Sequence, residues 1–233
     1  MVSNFYFTKS LICFLLERIM KIPSELFYNS ELKYQIKCDE ELLKKMNLKF
    51  PVVFHGTTGK DEQSDDSPSW FNQSEILNIA IYLCRLRKAG VKTDEIGIIT
   101  PYRKQVEMIR RHLRYEQMPD CKVSTIEEFQ GDEKKVIIVS MVRSSSRHLS
   151  HDMKYNLGFV FNSKRFNVIL SRAMSLLIVI GDPDVLSEDS DWQKFVIYCH
   201  SNNAFVGNVT RNFEHNKIDG NKQIKLHKVF RIP

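Results

Sequence analysis

The sequence predicts an α/β fold with a mostly parallel sheet flanked by helices. Short apolar runs typical of buried strands recur along the chain, and segments with helical spacing separate them. Strands that alternate with helices are joined by crossovers, which makes them neighbours in a parallel sheet. With 233 residues and 42% hydrophobic content, the chain can bury one substantial core. The predicted strands are 50–55, 95–100, 122–125, 136–142 and 176–181.

The first clear helix is predicted after a polar segment. Residues 56–69 combine glycine, serine, proline and clustered acids, which indicates a loop. Asn72 and Glu75 then have the spacing of a capping box, and apolar residues follow at helical spacing as far as Leu83. Gly90 supplies the C-terminal stop of this helix.

A basic helix is predicted to start near Arg103, because Pro101 ends the strand before it. Its apolar stripe predicts a buried face formed by Val106, Ile109 and Leu113. Its basic side chains are expected to face outward, namely Arg103, Lys104, Arg110, Arg111 and Arg114. An ordinary solvated surface is the simpler interpretation of this pattern.

Two further helical segments are predicted. Thr125 and Glu128 have capping-box spacing, so a short helix should follow the strand 122–125 and end at Gly131. A longer helix is predicted over residues 163–173.

The composition argues against several classes of protein. Lys and Arg outnumber Asp and Glu by 34 to 28, and the net charge of +6 is consistent with a polyanionic partner without requiring one. The five cysteines lack the spacing of a zinc ligand pair or a CxxC redox site, so no metal site is predicted. The apolar run 11–16 is too short to span a bilayer and lacks the small-residue cleavage site of a signal peptide, which predicts an intracellular protein with no membrane partner.

Three phrases carry the candidate chemistry: IGIITPYRKQ at 96–105, VSTIEEFQGDE at 123–133 and FNVILSRA at 166–173. They resemble the fourth, fifth and sixth motifs of superfamily 1 helicases. Together with SPSWFN at 67–72, they resemble the Upf-like RNA helicases of the Armitage and Moloney-leukaemia-virus-ten group. The resemblance covers roughly residues 20–207 and implies a RecA-like lobe of the P-loop NTPase type, the second of the two in such helicases.

Arg172 is the predicted catalytic residue. A planar and permanently charged guanidinium can neutralise the charge that grows during phosphoryl transfer. We expect Arg172 at the edge of the sheet where strands hand over to loops, because ligands gather there. The resemblance implies that Arg172 contacts the γ-phosphate, with Ser171 standing where the family usually has threonine. It also implies nucleotide contacts from Gln130, Gly131 and Glu133, the last through ribose hydroxyls.

Polar groups at strand ends suggest a track for a single nucleic-acid strand. Hydroxyls and backbone N–H groups at such positions suit phosphate oxygens and position a strand without reading its sequence. The predicted RNA contacts are Thr100, Pro101, Tyr102, Ser124, Thr125 and Arg143. The resemblance implies that the fourth and fifth motifs supply such contacts, and that Gln130 and Gly131 couple them to the nucleotide.

The sequence contains no recognisable Walker A or Walker B motif. The run Gly56 to Lys60 lacks the required spacing, and Asp61 follows the lysine where serine or threonine is needed. Asp61 and Glu62 form an acidic pair without an apolar strand before it, so both are predicted to be solvated loop residues. By itself this chain is therefore expected to be inactive in ATP hydrolysis.

The resemblance implies the C-terminal lobe of an ATP-dependent RNA helicase acting in small-RNA silencing. The implied cofactor is ATP with Mg²⁺, the metal being held by the first lobe. The implied partners are single-stranded RNA, the first RecA-like lobe and RNA-silencing proteins. The implied location is the cytoplasm, including ribonucleoprotein granules.

Domain boundaries and two alternatives complete the prediction. Residues 1–20 are interpreted as a divergent or truncated N-terminal segment, 21–207 as the lobe and 208–233 as a polar, flexible tail. One alternative is a DNA helicase lobe of the same superfamily, because phosphate contacts do not separate RNA from DNA. The other is a truncated, non-catalytic module that binds RNA or protein. It is favoured by the lack of the Asn-Tyr-Arg phrase that the family carries near this position.

Overall fold

The computed structural model describes residues 14–31, 39–65, 67–118, 120–145 and 162–208. The strands in these ranges are β1 (Val52–Gly56), β2 (Glu62–Ser64), β3 (Ser67–Phe71), β4 (Ile96–Ile99), β5 (Lys122–Ser124), β6 (Lys134–Ser140), β7 (Ala173–Gly181) and β8 (Phe205–Gly207). The helices are α1 (Phe14–Phe27), α2 (Glu40–Lys45), α3 (Gln73–Lys88), α4 (Arg103–Tyr115), α5 (Ser163–Leu170), α6 (Pro183–Leu186) and α7 (Ser190–Ser201). A 3₁₀ turn at Thr93–Glu95 leads into β4.

Six strands form one sheet in the order β5-β4-β6-β7-β1-β8, and every pairing in it is parallel. Strands buried on both faces are expected to be continuous apolar runs, which is how β4, β6 and β7 read. One row of side chains crosses the sheet in register, through Val123, Ile98, Ile138, Ile178 and Val53. The predicted α/β class with a parallel sheet is confirmed.

Two helical layers cover the sheet and divide its core. On one face, α2, α3 and α4 pack apolar residues such as Ile79 and Ile109 against Ile138. On the other face, α1, α5 and α7 contribute large aromatic residues, with Phe166 and Trp192 stacked edge to face at a centroid distance of 4.7 Å. The predicted burial of the α4 stripe is confirmed, whereas Lys104 is 8% exposed and pairs with Glu107 at 3.1 Å.

The prediction of a loop over residues 56–69 is wrong in part. β2 and β3 form a separate antiparallel hairpin in which Glu62 faces Phe71 and Gln63 faces Trp70. The polar composition hid this hairpin, because its strands are short and only partly buried rather than continuous apolar runs.

Two other boundaries differ from the prediction. The segment after β5 contains the expected reciprocal bonds of Thr125 and Glu128, both 3.4 Å long, and Gly131 has φ +91°, but the backbone forms turns rather than an α-helix. The predicted boundary at residue 20 falls inside α1. Asn208 was predicted to be the first residue of the flexible tail, but its backbone N–H donates to the Gly56 carbonyl at 2.8 Å. The residues before 14 and after 208 lie outside the described part of the chain.

Candidate functional site

The predicted site residues separate into two groups at opposite edges of the sheet. Arg172 directly precedes β7 and Glu133 directly precedes β6, so both lie at the amino ends of their strands. Thr100 follows β4 and Thr125 follows β5, at the carboxyl ends. The expectation that Arg172 lies at the edge where strands hand over to loops is therefore wrong. Its helix α5 delivers it where β7 begins.

At the amino edge, Arg172 and the fifth motif are neighbours. Lys134 pairs with Ala173 across β6 and β7, and its backbone N–H donates to the Arg172 carbonyl at 3.1 Å. Glu133 and Arg172 thus enter adjacent strands at the same level, and Glu133 is exposed. The structure brings together two predicted nucleotide-binding residues that are 39 positions apart in the sequence.

The guanidinium of Arg172 is held by oxygen atoms that carry no formal charge. Its Nε donates to the Val168 carbonyl at 3.1 Å, and its Nη2 donates to the Ser171 hydroxyl at 2.8 Å. No carboxylate forms an ion pair with Arg172 in the part of the chain described. Its positive charge is consequently oriented without being neutralised, as an arginine that receives a phosphate requires.

Gln130 and Gly131 are exposed and, with the half-buried Asp132, form the turn that leads to Glu133. A Cβ at Gly131 would meet nothing within 4 Å, so the backbone conformation at φ +91° is what favours glycine there. The ion pair of Asp132 with Lys122 lowers the pKa of the Asp132 carboxyl, and Arg172 contributes a smaller effect of the same sign. The acidic end of this turn therefore lies within the electrostatic field of Arg172.

At the carboxyl edge, most of the predicted RNA contacts are buried. Thr100 is 0% exposed and Ser124 is 2% exposed, and their hydroxyl oxygens have no hydrogen-bond partner in the described residues. Thr125 is buried as well, whereas Pro101 and Tyr102 are partly exposed. Tyr102 is accessible for a direct phosphate contact at this edge without rearrangement, whereas Pro101 has no N–H to donate and can only pack against the strand. The hydroxyls of the other three residues reach a ligand only if the edge opens.

The expectation that Arg143 joins the RNA track does not fit the geometry. Its side chain is 1% exposed, and Nη1 donates to Asp61 Oδ2 at 2.6 Å. The guanidinium carbon lies 4.4 Å from the centre of the Trp70 ring. Asp61 is 4% exposed on its side chain, which also corrects its interpretation as a solvated loop residue. The β2–β3 hairpin and its approach thus cover Arg143.

Sequence reasoning missed a buried polar network at the same edge. Asn72 caps α3 as predicted, but Glu75 does not return to the Asn72 backbone, so the capping box is only half formed. Instead, Glu75 accepts the Ser140 hydroxyl at 2.6 Å and the Val142 N–H at 2.9 Å. Gln105 occupies the vacated position and accepts the Asn72 N–H at 3.0 Å. The four side chains come from α3, its N-cap, α4 and β6.

This network, defined by Asn72, Glu75, Gln105 and Ser140, holds a strained backbone. Val142 has φ +72°, a conformation that a β-branched residue rarely adopts. Its N–H donates to Glu75 and its carbonyl accepts from Asn72 Nδ2 at 3.0 Å, so side chains hold both of its backbone groups. Burial raises the pKa of Glu75 to about 8. The Asn-x-x-Glu spacing was the visible signal, but its partners lie far away in sequence.

Comparison with known proteins identifies the family. Residues 15–184 match the AAA domain family. The chain belongs to this family.

Individual members are similar over most of the chain. The helicase mov-10-B.1 of Danio rerio is 41% identical over 231 residues, which is 90% of this chain and 22% of that protein. The RNA helicase armi of Drosophila melanogaster is 39% identical over 206 residues, or 82% of this chain and 17% of its own length. The Drosophila melanogaster homologue of regulator of nonsense transcripts 1 is 29% identical and matches 89% of this chain and 18% of its own length.

This AAA-domain chain is therefore a member of the superfamily 1 Upf-like helicase group, as its three motifs predicted. It spans about a fifth of the length of these relatives. Among the described residues, no cluster of His, Cys, Asp and Glu could hold a metal ion, and no helix is long and apolar enough to cross a membrane.

Proposed function

We propose that this chain forms the second RecA-like lobe of an ATP-dependent RNA helicase. The observation that carries the proposal is the Arg172 guanidinium, fixed by Ser171 and Val168 beside Glu133 and left without a carboxylate partner in the described residues. Such an arginine suits the phosphates of a nucleotide, and an adjacent exposed carboxylate suits ribose hydroxyls.

The donor set fits ATP but not its metal ion. Arg172 would stabilise the charge on the γ-phosphate, and Glu133 would accept hydrogen bonds from the ribose. The described residues offer no carboxylate cluster for Mg²⁺, so the metal and the phosphate-binding loop belong to another lobe in this proposal. Mg²⁺ is held in such enzymes by few protein ligands together with phosphate oxygens. ATP hydrolysis by this lobe alone is accordingly not expected.

RNA is the proposed nucleic acid, bound at the carboxyl edge next to Pro101 and Tyr102. The relative armi, named an RNA helicase, supports RNA over DNA, and the basic charge of the chain is consistent with either nucleic acid. Small-RNA silencing in cytoplasmic granules is the setting we propose from the family resemblance. Recovery of small-RNA precursors after crosslinking in cells would support that setting, and recovery of DNA alone would contradict it.

The test is a chimeric protein that joins this chain to the first lobe of a related helicase. ATP hydrolysis should appear and should increase with single-stranded RNA. Arg172→Ala should lower kcat by about 1,000-fold, the scale on which arginine fingers act. Arg165→Ala is the matched control, because Arg165 lies on α5, the helix that leads to Arg172, but pairs with Glu127 at 2.8 Å.

Two results would favour other functions. A folded chimera that binds RNA and hydrolyses no ATP would support the non-catalytic binding module. Stimulation by single-stranded DNA but not by RNA would support the DNA helicase alternative.

A further inference from the structure

One side of α4 forms an open basic groove beyond β5, the outermost strand on that side of the sheet. Arg103, Arg110 and Arg114 lie on one face of α4, because they are spaced by seven and four residues. They line a cleft of about 340 Å³, here called the α4 groove. Its remaining lining residues are Val106, Glu107, Thr125 and Glu128.

The positive charge of the α4 groove is available to a ligand. Arg103 and Arg114 are exposed and have no ion-pair partner in the described part of the chain. The Arg110 side chain donates Nε and Nη2 to the Val123 carbonyl at 3.1 and 2.6 Å, which leaves its charge unpaired. All three arginines are exposed, and the central one is fixed to the β5 backbone.

The two carboxylates that line the groove already have partners. Glu107 pairs with Lys104 at 3.1 Å. The carboxylate of Glu128 accepts the Thr125 N–H at 3.4 Å within the reciprocal pair described above. Lys104 neutralises Glu107, whereas the backbone N–H leaves the charge of Glu128 in place, so three arginine charges face one unneutralised carboxylate and the groove stays net positive.

The shape of the groove favours a nucleic-acid strand over an acidic peptide. Arg103 and Arg114 are eleven residues apart, which corresponds to about 16 Å along a helix and suits a charge repeated along a strand. Only Val106 among the lining residues is apolar, so a peptide would have little surface on which to bury its side chains. Thr125 belongs both to the groove and to the carboxyl edge, so the two surfaces are continuous.

We propose that the α4 groove binds the phosphates of RNA nucleotides that flank the segment held at the carboxyl edge. Arg103 and Arg114 make the direct contacts, and Arg110, held by the Val123 carbonyl, adds its charge between them. The inference rests on the proposed RNA-binding function and extends its site around the outer strand.

The test measures binding of a fluorescent single-stranded RNA of about 25 nucleotides by the full chain, across a range of salt concentrations. The variant is the pair Arg103→Gln and Arg114→Gln. The matched control is the pair Arg87→Gln and Lys88→Gln, which removes two exposed charges at the end of α3. Arg110 is left intact because it holds the β5 backbone.

The groove variant should bind the RNA about tenfold more weakly than the wild-type chain. Its plot of log affinity against log salt should be shallower by about 1.4, the value for two lost contacts on a single strand. The control should change affinity less than about twofold. An RNA of about 8 nucleotides, which occupies the carboxyl edge alone, should not distinguish the two variants.

Three outcomes would overturn the inference. Equal affinities and salt slopes for groove variant and control would show that the arginines do not contact RNA. Binding of polyglutamate, measured in the same way, tests the alternative. If the groove variant loses polyglutamate binding but binds RNA as the wild-type chain does, the groove belongs to an acidic protein partner. A wild-type chain without RNA binding would remove the groove and the RNA part of the proposed function together, whereas RNA-stimulated hydrolysis by the chimera tests that function separately.

Discussion

At the scale of single residues, the Ser171 side chain fixes the orientation of the Arg172 guanidinium. The Ser171 hydroxyl accepts from Nε at 3.2 Å and from Nη2 at 2.8 Å. Without it, the Val168 carbonyl alone would hold the guanidinium. A long, flexible side chain with one anchor populates several rotamers, and only some of them place its charge on a phosphate.

We expect Ser171→Ala to lower kcat of the chimeric protein about tenfold, corresponding to about 1.4 kcal/mol of lost transition-state stabilisation. Ser171→Thr keeps the hydroxyl and should retain nearly full activity. Steady-state ATP hydrolysis at saturating RNA measures the effect, and circular dichroism checks that the variants fold. Equal loss in both variants would show that shape at this position matters rather than the hydroxyl.

The sequence predicted roles for Arg172 and Glu133, which stay predictions, and it placed Arg172 at the wrong edge of the sheet. Both predictions depend on local phrases, which can be recognised in a single sequence. The edge of the sheet depends on whether each residue precedes or follows its strand, and Arg172 precedes β7. The burial of Arg143 could not be predicted, because its partner Asp61 is 82 positions away in a segment that reads as a polar loop.

At the scale of elements, the buried polar network joins α3, α4 and β6 behind the carboxyl edge. Glu75 is fully buried and receives hydrogen bonds from Ser140 and Val142, yet desolvation outweighs them and raises its pKa to about 8. The carboxyl is therefore largely protonated at neutral pH in the folded chain. The unfolded chain would hold the same group ionised at that pH.

This difference predicts a pH-dependent stability. Because the pKa of Glu75 is raised in the folded state, the folded chain binds one more proton than the unfolded chain between about pH 4.5 and 8. The contribution of Glu75 to stability is therefore greatest below this window and decreases as pH rises through it. As pH rises through this window, the free energy of unfolding of the wild-type chain should fall relative to that of Glu75→Gln. The fall should be at most about 1.4 kcal/mol per pH unit.

Urea denaturation of both proteins at several pH values measures that difference. His55 supplies an opposite slope in both, since burial lowers its pKa to about 4 and its stabilising effect is lost as pH falls below about 6.5. Comparing the two proteins cancels this contribution. A difference that stays constant from pH 5 to 8 would show that Glu75 is ionised in the folded chain as it is in the unfolded chain, so that its pKa is not raised.

The elements show what a pattern can and cannot predict. β4, β6 and β7 were predicted because both of their faces are buried, which makes the sequence continuously apolar. The turn after β5 was predicted as a helix because the same residues, Thr and Glu three positions apart, form reciprocal bonds both in such a turn and at the start of a helix. The network was missed because three of its members read as ordinary cap, helix and strand residues.

At the scale of the whole molecule, one short segment connects the two edges. Residues 125–133 leave β5 at the carboxyl edge and reach β6 at the amino edge, beside Arg172. Phe129 anchors the middle of this segment, with 0% exposure, against the face of β4. The candidate RNA edge and the candidate nucleotide edge are thus joined by nine residues, which gives the implied coupling through Gln130 and Gly131 a physical path.

Gly97 leaves room for that path. A Cβ at Gly97 would lie 2.5 Å from the Phe129 ring, so Gly97→Ala must displace Phe129 or the strand. We expect the chimera with Gly97→Ala to keep RNA binding and basal ATP hydrolysis while losing most of its stimulation by RNA. The overpacking should also cost about 1–3 kcal/mol of stability.

Gly181→Ala separates coupling from stability in this experiment. A Cβ at Gly181 would lie 2.9 Å from Met141 Cβ and 3.0 Å from Leu186 Cδ1, so the crowding there falls on side chains other than Phe129. This variant should lose stability and keep its stimulation by RNA. If both variants lose stimulation in proportion to their unfolding midpoints, the segment 125–133 does not transmit the signal. If Gly97→Ala alone loses it, the crossover between the two edges is what makes hydrolysis respond to RNA.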